Sequence, residues 1–250
     1  MHLYDNVSEG IFHSRPNRFI AKIEINGQLE LCHVKNIGRC KELLIPGTRV
    51  YVNHINKPGR VTRYELIAVW KNERLINIDS QAPNKAFLEY LQSGRYIDGI
   101  TYIKPEAKHG GSRFDFYVEA DKADDAASVR RVSFDKQGEK VVKRRIFIEV
   151  KGVTLENDNI ALFPDAPTER GVKHMHELIQ CIHDGYEAHV VFVIKMCGIK
   201  HFSPNNAIHP AFGAALVAAD KADVKISAFD CIVKPSSLTI GNPVLIHMKS

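Results

Sequence analysis

The sequence predicts an α/β protein with an all-β N-terminal part: a small barrel followed by a mixed sheet with flanking helices. Short alternating or β-branched runs, separated by turn-forming Asn-Gly and Pro-Gly pairs, fill the first 80 residues and predict the barrel. Beyond them, strand-like runs alternate with apolar stripes at helical spacing, which is typical of helices packed on a mixed sheet. We therefore assign residues 1–82 to the first domain and residues 83–250 to the second.

The barrel strands follow from alternation and from the residues that interrupt it. Apolar residues alternate over residues 19–25, Asn26-Gly27 breaks the pattern, and residues 29–33 resume it, as in a β-hairpin with a two-residue turn. Three further strands are predicted over residues 50–52, 64–70 and 75–78.

The second domain begins with a helix predicted over residues 84–92, which follows Pro83 and ends at Gly94. The later elements are strands over residues 113–118, 146–153, 188–195 and 224–229 and helices over residues 168–184 and 210–221. Residues 121–145 contain eight Lys or Arg, five Asp or Glu and few large apolar residues. This composition predicts an exposed hairpin or a partly mobile loop.

Composition excludes several classes of protein. The chain is 44% hydrophobic and 25% charged, as in globular domains. Its longest apolar run, residues 211–219, is far shorter than the roughly 18 to 20 residues of a membrane span, so no membrane partner is expected. The N-terminus lacks the basic flank and apolar block of a secretory signal. Five scattered cysteines without a C-x-x-C pair favour the reducing cytoplasm.

The distribution of charge favours a polyanionic partner. Lys and Arg number 34 and Asp and Glu 29, and residues 1–80 alone carry twelve of the former and eight of the latter, a net +4. Basic groups mix there with aromatic and amide side chains near turns, as in nucleic-acid grooves, and the same pattern is also found on solvated basic surfaces. The candidate nucleic-acid contacts are Arg15, Arg18, Phe19, His33, Asn36, Arg39, Arg60 and Arg63.

Two carboxylates are expected to meet in the second domain. Strand alternation puts Glu149 and Lys151 on one face, and puts Asp115 on the face opposite Phe114 and Phe116. Neighbouring carboxylates repel each other unless a cation lies between them, and their hard oxygens favour Mg²⁺ or Mn²⁺. Lys151 would then orient a water or offset charge on a phosphate. A Glu-x-Lys pair is also typical of a solvated surface ion pair.

Two further features extend this candidate site. Glu106 could add a third carboxylate, although an exposed glutamate after Pro105 is equally ordinary. The helix that begins near Thr168, its expected N-cap, carries Arg170 and Lys173 in its first turns, where a phosphate could bind. No zinc-protease helix, Walker loop, dinucleotide fingerprint or serine-hydrolase elbow is present in the sequence.

Several sequence blocks together resemble the sugar fermentation stimulation protein A family over about residues 10–230. The matching blocks are Arg15-Pro-Asn-Arg18-Phe19, His33-Val-Lys-Asn36-Ile-Gly38, Ser112-Arg113-Phe114-Asp115-Phe116, Glu149-Val150-Lys151-Gly-Val-Thr154-Leu155, Phe163-Pro164-Asp165-Ala166 and Thr168-Glu169-Arg170-Gly171-Val-Lys173-His174. The resemblance implies an N-terminal OB-fold and a C-terminal domain of the PD-(D/E)XK nuclease type. It also implies DNA binding and a role in regulating sugar-utilisation genes.

Carried over by motif, the resemblance assigns Glu106 as the helix carboxylate of the nuclease fold, Asp115 as the central aspartate, and Glu149 with Lys151 as the E-x-K element. Glu106, Asp115 and Glu149 would be the metal ligands. The block that begins at Thr168 adds His174 to the expected nucleic-acid contacts. The chain departs from the family at Val61, at His209 and in the longer insert of residues 121–145.

Two hypotheses follow from the sequence. The intact carboxylates favour a metal-dependent nuclease that acts on DNA or RNA, whereas the family resemblance favours a DNA-binding regulator without turnover. A weaker third reading is a protein-interaction module of the OB type. The oligomeric state is unknown at this level.

Overall fold

A computed structural model of the chain describes residues 1–36, 38, 40–121, 132–134 and 140–248, with side chains described outside residues 132–134 and 140–142. The first domain consists of six strands: β1 (Val7–Asn17), β2 (Ile20–Ile25), β3 (Gln28–Val34), β4 (Arg49–His54), β5 (Tyr64–Lys71) and β6 (Arg74–Asn77).

Five of these strands close into a barrel. The long β1 pairs with β4 through its first half and with β2 through its second half, so it bends around two sides of the barrel. A parallel pairing of β3 with β5 closes the circuit, and β6 extends β5 as a hairpin. The resulting order β1-β2-β3-β5-β4-β1 is an OB-fold, which confirms the predicted barrel. The predicted two-residue turn at Asn26-Gly27 is present, with positive φ at both residues.

The second domain begins with α1 (Ala82–Gln92) and contains two sheets. Its remaining elements are β7 (Ile100–His109), β8 (Ser112–Asp121), β9 (Val132–Phe134), β10 (Lys140–Val153), β11 (Leu155–Asn157), β12 (Ile160–Phe163), α2 (Glu169–His183), β13 (Glu187–Ile194), β14 (His201–Pro204), α3 (Pro210–Lys221), β15 (Lys225–Lys234), β16 (Ser237–Pro243) and β17 (Leu245–Ile246). The large sheet has the order β16-β15-β13-β10-β8-β7, with β9 added to β10, and the small sheet has the order β11-β12-β14-β17.

Helices cover both faces of the large sheet. Phe87 of α1 belongs to the apolar cluster on one face, whereas Met175 of α2 and Phe212 of α3 belong to the cluster on the other. Because β10, β13 and β15 are mutually parallel, α2 and α3 form the crossovers that connect them. This arrangement confirms the predicted mixed sheet with flanking helices.

The sequence missed strands that are short or lack alternation, notably β1, β7 and the strands of the small sheet. Of the insert at residues 121–145, β9 pairs antiparallel with the start of β10, as in the predicted hairpin. The rest of that prediction falls largely on residues 122–131 and 135–139, which lie outside the described residues.

The two domains share contacts at their junction. The backbone N–H of Asn77 donates to the carbonyl of Lys195 at 3.0 Å, and Leu3 donates to the carbonyl of Ser236 at 2.9 Å, so the first residues lie against the second domain. The boundary at residues 82 and 83 stays a prediction. In the described part of the chain, no helix combines the length and hydrophobicity of a membrane span. All five cysteines are free thiols.

Candidate functional site

The candidate site lies where two strands of the large sheet separate. The ladder between β8 and β10 ends at the pair Phe116 and Ile148. Beyond it, Oδ2 of Asp115 accepts a hydrogen bond from the backbone N–H of Val150 at 2.7 Å, so a side chain replaces the next ladder partner. Oδ1 accepts from the amide of Asn84 on α1 at 2.6 Å. Asp115 is therefore fixed in the gap between the strands.

The faces of β8 change at Asp115. The ring of Phe116 lies 6.0 Å from that of Phe87 on the α1 side of the sheet, whereas the ring of Phe114 lies 5.4 Å from that of Phe147 on the α2 side. The prediction that Phe114 and Phe116 share a face is therefore wrong. The physical reason is a break in alternation, which coincides with a left-handed φ of 51° at Glu106 on the neighbouring β7.

Asp115 is half-buried and lies close to a second carboxylate. Burial and the nearby charge of Glu149 raise the pKa of Asp115 to about 6, against the opposing effect of the Val150 and Asn84 hydrogen bonds. The metal-free site thus disfavours two simultaneous negative charges.

Glu149 is buried on β10 and faces α2. Its Oε1 accepts a hydrogen bond from Nζ of Lys151 at 2.6 Å and also contacts Nδ1 of His174. Burial alone would raise the pKa of Glu149, but the contacts with His174 and Lys151 outweigh it and hold the pKa below its ordinary value. Glu149 is therefore the ionised member of the carboxylate pair.

The donor set suits a hard divalent cation. Asp115 and Glu149 supply carboxylate oxygens, and their mutual repulsion gives the site an excess of negative charge that a cation would remove. Among the described residues, no group of three or more His, Cys, Asp and Glu side chains converges as a metal-binding cluster. Mg²⁺ commonly keeps several waters and uses only one or two protein carboxylates, so two carboxylates fit such an ion.

Glu106 does not join the other two carboxylates. It lies on strand β7, and its exposed carboxylate pairs with Arg113 at 3.2 Å. The expectation that Glu106 is a helix carboxylate is wrong, because the helix beside the site is α1, which contributes the amide of Asn84. The sequence did place Asn84 in the first turn of a helix after Pro83, but only the docking of α1 brings its amide to Asp115.

Two of the expected nucleic-acid contacts in the barrel have structural partners instead. Arg15 donates to the carbonyls of Gly38, Arg18 and Asn36 at 2.9, 2.6 and 2.6 Å. The side chain of Asn36 bridges the N–H of Gly38 and the carbonyl of Ile78. Both residues thus hold the backbone around Gly38, the barrel loop, in place. Arg39 lies outside the described residues.

The other candidate residues of the barrel differ in how far their side chains are exposed to a ligand. Arg60 and Arg63 pair with Glu65 and Glu30 at 2.9 and 3.0 Å. Arg18 and Phe19 are exposed, Phe19 to 50%, and His33 is half-buried on β3. The exposed guanidinium and aromatic ring at the turn between β1 and β2 are the best placed for contact with a ligand.

The start of α2 lies beside the site. Thr168 is its N-cap, as predicted, and its Oγ1 accepts from the N–H of Gly171 at 3.0 Å. Arg170 and Lys173 are exposed on the first turns, whereas His174 is buried against Glu149. The expectation that His174 contacts nucleic acid is therefore not met by its position, because the side chain points into the protein.

The fold and the site define a two-domain protein in which an OB barrel precedes an α/β domain with an acidic site. Comparison with known families gives a match of residues 14–78 to the SfsA N-terminal OB domain and of residues 81–237 to the sugar fermentation stimulation protein RE domain. The chain belongs to the sugar fermentation stimulation protein family, as its sequence blocks indicated.

Known relatives resemble the chain over nearly its whole length. Sugar fermentation stimulation protein homologs of Desulfitobacterium hafniense strain Y51 and Ruminiclostridium cellulolyticum are 51% and 49% identical over 245 residues, covering 98% of this chain and 98% and 99% of theirs. A solved structure of Pyrococcus furiosus SfsA in complex with Ca²⁺ is 27% identical, with a TM-score of 0.81 and 99% coverage of both chains.

Proposed function

We propose that this protein binds nucleic acid and hydrolyses its phosphodiester bonds with a divalent cation, Mg²⁺ or Mn²⁺, held by Asp115 and Glu149. The observation that carries the proposal is the pair of carboxylates in the gap between β8 and β10, with one lysine beside them. The Ca²⁺ complex of the Pyrococcus furiosus relative supports a divalent site in this fold.

The cation, when bound, would supply charge neutralisation and a lowered pKa of an attacking water. Asn84 and the N–H of Val150 orient the Asp115 carboxylate. Lys151 places its ammonium 2.6 Å from Oε1 of Glu149, where it can hold a water or offset the negative charge that develops on a phosphate.

Exposed cations lie along the proposed path of the substrate. Arg170 and Lys173 stand on the first turns of α2, where helix polarity also favours a phosphate. Gly38 of the barrel loop approaches Asp165, which precedes α2, so a strand bound near Arg18 and Phe19 would lie close to the second domain. DNA is the expected ligand, and RNA fits the same contacts.

A DNA-binding regulator of sugar-utilisation genes, without turnover, is the second candidate. One observation favours it: Glu106 is paired with Arg113, so among the described residues two carboxylates, and not three, meet at the site. The cytoplasmic location stays a prediction, and the oligomeric state is open.

The test incubates the pure full chain with labelled single- and double-stranded DNA and RNA in Mg²⁺, Mn²⁺ or EDTA, with binding and cleavage scored separately. Lys151→Ala should lower the cleavage rate by about 10² to 10⁴ while it leaves nucleic-acid binding intact, the usual loss for one positioned catalytic group. Lys143→Ala, an exposed change on the same strand, is the control and should cut at the parent rate.

If Lys151→Ala cleaves as fast as the parent, the activity belongs to another site or to a contaminant. If the parent binds DNA but cuts no substrate with either metal, the regulator replaces the nuclease.

A further inference from the structure

His174 links the surface of α2 to the candidate site through a chain of polar contacts. The residue is 5% exposed. Its Nε2 lies 3.3 Å from Nε of Arg170, and its Nδ1 contacts Oε1 of Glu149 and lies 3.2 Å from Nζ of Lys151. A buried imidazole thus touches three charged side chains.

These contacts are consistent with one arrangement of protons. The Nε of Arg170 carries a proton and can only donate, so Nε2 of His174 is the acceptor and the proton of the neutral ring is on Nδ1. That N–H donates to Oε1 of Glu149, because an ionised carboxylate only accepts. The ammonium of Lys151 is also only a donor, so it shares Oε1 with the imidazole and does not bond to the ring.

This sharing distinguishes the two oxygens of Glu149. Oε1 receives two donors, and no group in the described part of the chain donates to Oε2. The carboxylate is fixed from one side and retains an open oxygen on the other. In the described part of the chain, Arg170 forms no ion pair with Glu149, and its contact with this group of side chains is the hydrogen bond to the ring.

We propose that His174 is a positioning residue, a role that rests on the cation site proposed above. With its tautomer fixed by Arg170 and Glu149 together, it holds Glu149 by Oε1, presents Oε2 to the cation and keeps Lys151 beside the carboxylate. The neighbours of a metal ligand commonly change metal affinity by about 10- to 100-fold when they are removed.

The first measurement is Mn²⁺ binding by titration calorimetry on the full-length protein. His174→Leu removes the donor and should weaken Mn²⁺ by about 10- to 100-fold. His174→Asn retains a side-chain N–H near the position of Nδ1 and should recover most of that loss. His176→Leu, an exposed change on the same helix, is the control and should bind as the parent does.

The second measurement uses the metal-free protein. Imidazole ¹⁵N spectra should show His174 protonated at Nδ1 and not at Nε2. Arg170→Met removes the donor to Nε2 and should shift the ¹⁵N resonance of that acceptor nitrogen, while Nδ1 stays protonated against Glu149. Lys173→Met, which removes an exposed cation from the same turns, should leave the spectrum unchanged.

The outcomes separate the two proposals. If the parent binds no Mn²⁺, the cation site fails and the positioning role fails with it. If the parent binds Mn²⁺ and a folded His174→Leu binds it equally, the site stands and the positioning role is overturned. If His174→Leu and His174→Asn weaken Mn²⁺ binding equally, His174 acts through packing and not through its N–H. If the parent ring is protonated at Nε2, the proposed proton arrangement is wrong.

If His174→Leu does not fold, Mn²⁺ binding by His174→Asn and the ¹⁵N spectrum of Arg170→Met still test the positioning role.

Discussion

Two ionic clusters in this molecule use the same residue types and differ in their balance of charge. In the barrel cluster, formed by four side chains of the first domain, Lys35 lies 2.8 Å from Glu65 and 2.9 Å from Asp79, and Arg60 lies 2.9 Å from the other oxygen of Glu65. Two cations therefore face two carboxylates, and the barrel cluster sums to zero.

The candidate site has one cation fewer. Lys151 lies 2.6 Å from Glu149, whereas the donors to Asp115 in the described part of the chain are the neutral N–H groups of Val150 and Asn84. When both carboxylates are ionised, these two carboxylates and one lysine leave a net charge of −1. We expect removal of one member of the balanced cluster to destabilise the fold, and the unbalanced cluster is the site proposed above for a cation.

The largest expected effect comes from a substitution that breaks the balanced cluster. Lys35→Met keeps the aliphatic stem but leaves Glu65 with Arg60 alone and removes the ion-pair partner of the Asp79 carboxylate, which should lower the free energy of unfolding by about 3 to 5 kcal/mol. Urea unfolding measures the loss. Lys22→Met, an exposed change on β2, should stay within about 0.5 kcal/mol. Equal losses for the two variants would show that the barrel cluster is not the stabilising feature.

The second effect tests the unbalanced cluster through pH. The folded pKa of Asp115, about 6, exceeds the ordinary 3.8, so the native state binds this proton more tightly and stability falls as the pH rises from about 4 to 6. The difference corresponds to at most about 3 kcal/mol. Glu149 contributes in the opposite sense: its pKa is lowered, so its contribution to stability is lost as the pH falls below the ordinary value of 4.5.

The stability difference between Asp115→Asn and the parent should therefore shift in favour of the variant as the pH rises from 4 to 7 in EDTA. Thermal unfolding at several pH values across that range measures this difference. Asp121→Asn, at the exposed end of the same strand, should show no such trend. A constant difference between Asp115→Asn and the parent would mean that the site is not short of positive charge.

A smaller effect concerns Gly38 of the first domain, which lies against Asp165 of the second. A Cβ at Gly38 would lie 2.6 Å from Oδ2 of Asp165 and 2.8 Å from Oδ1 of Asn36. Gly38→Ala should displace Asn36 from its hydrogen bonds and cost about 1 to 2 kcal/mol in thermal unfolding. Gly111→Ala, where a Cβ meets no atom within 4 Å, is the control. Equal melting temperatures would show that the loop adjusts freely.

The smallest effect extends the comparison to the surface. Arg18 has no carboxylate partner among the described residues, whereas Arg63 pairs with Glu30. Arg18→Ala should flatten the salt dependence of DNA affinity by about one unit, the value for one phosphate contact, and Arg63→Ala should change it less. Fluorescence anisotropy between about 50 and 200 mM salt measures both slopes. Identical slopes for the parent and Arg18→Ala would remove Arg18 from the interface.

The local signals in the sequence were sufficient for much of the fold. Alternation and Asn26-Gly27 located the first hairpin, the stripe through Met175 and Leu178 located α2, and Thr168 marked its N-cap. Strand β1 was not predicted, because its pairing with β2 contains register shifts at Ser14 and Asn17. Such breaks depend on the neighbouring strand and leave no period in the sequence.

The sequence by itself determined which residue types are available: an E-x-K element, an aspartate on the neighbouring strand and a basic first domain. Tertiary structure decided which of them meet. It turned Glu106 toward Arg113, brought Asn84 to Asp115, buried His174 against Glu149 and engaged Arg15 in the barrel loop. The physical reason is that side-chain periodicity is set by each strand or helix alone, whereas charge pairing and burial depend on distances between elements that only docking creates.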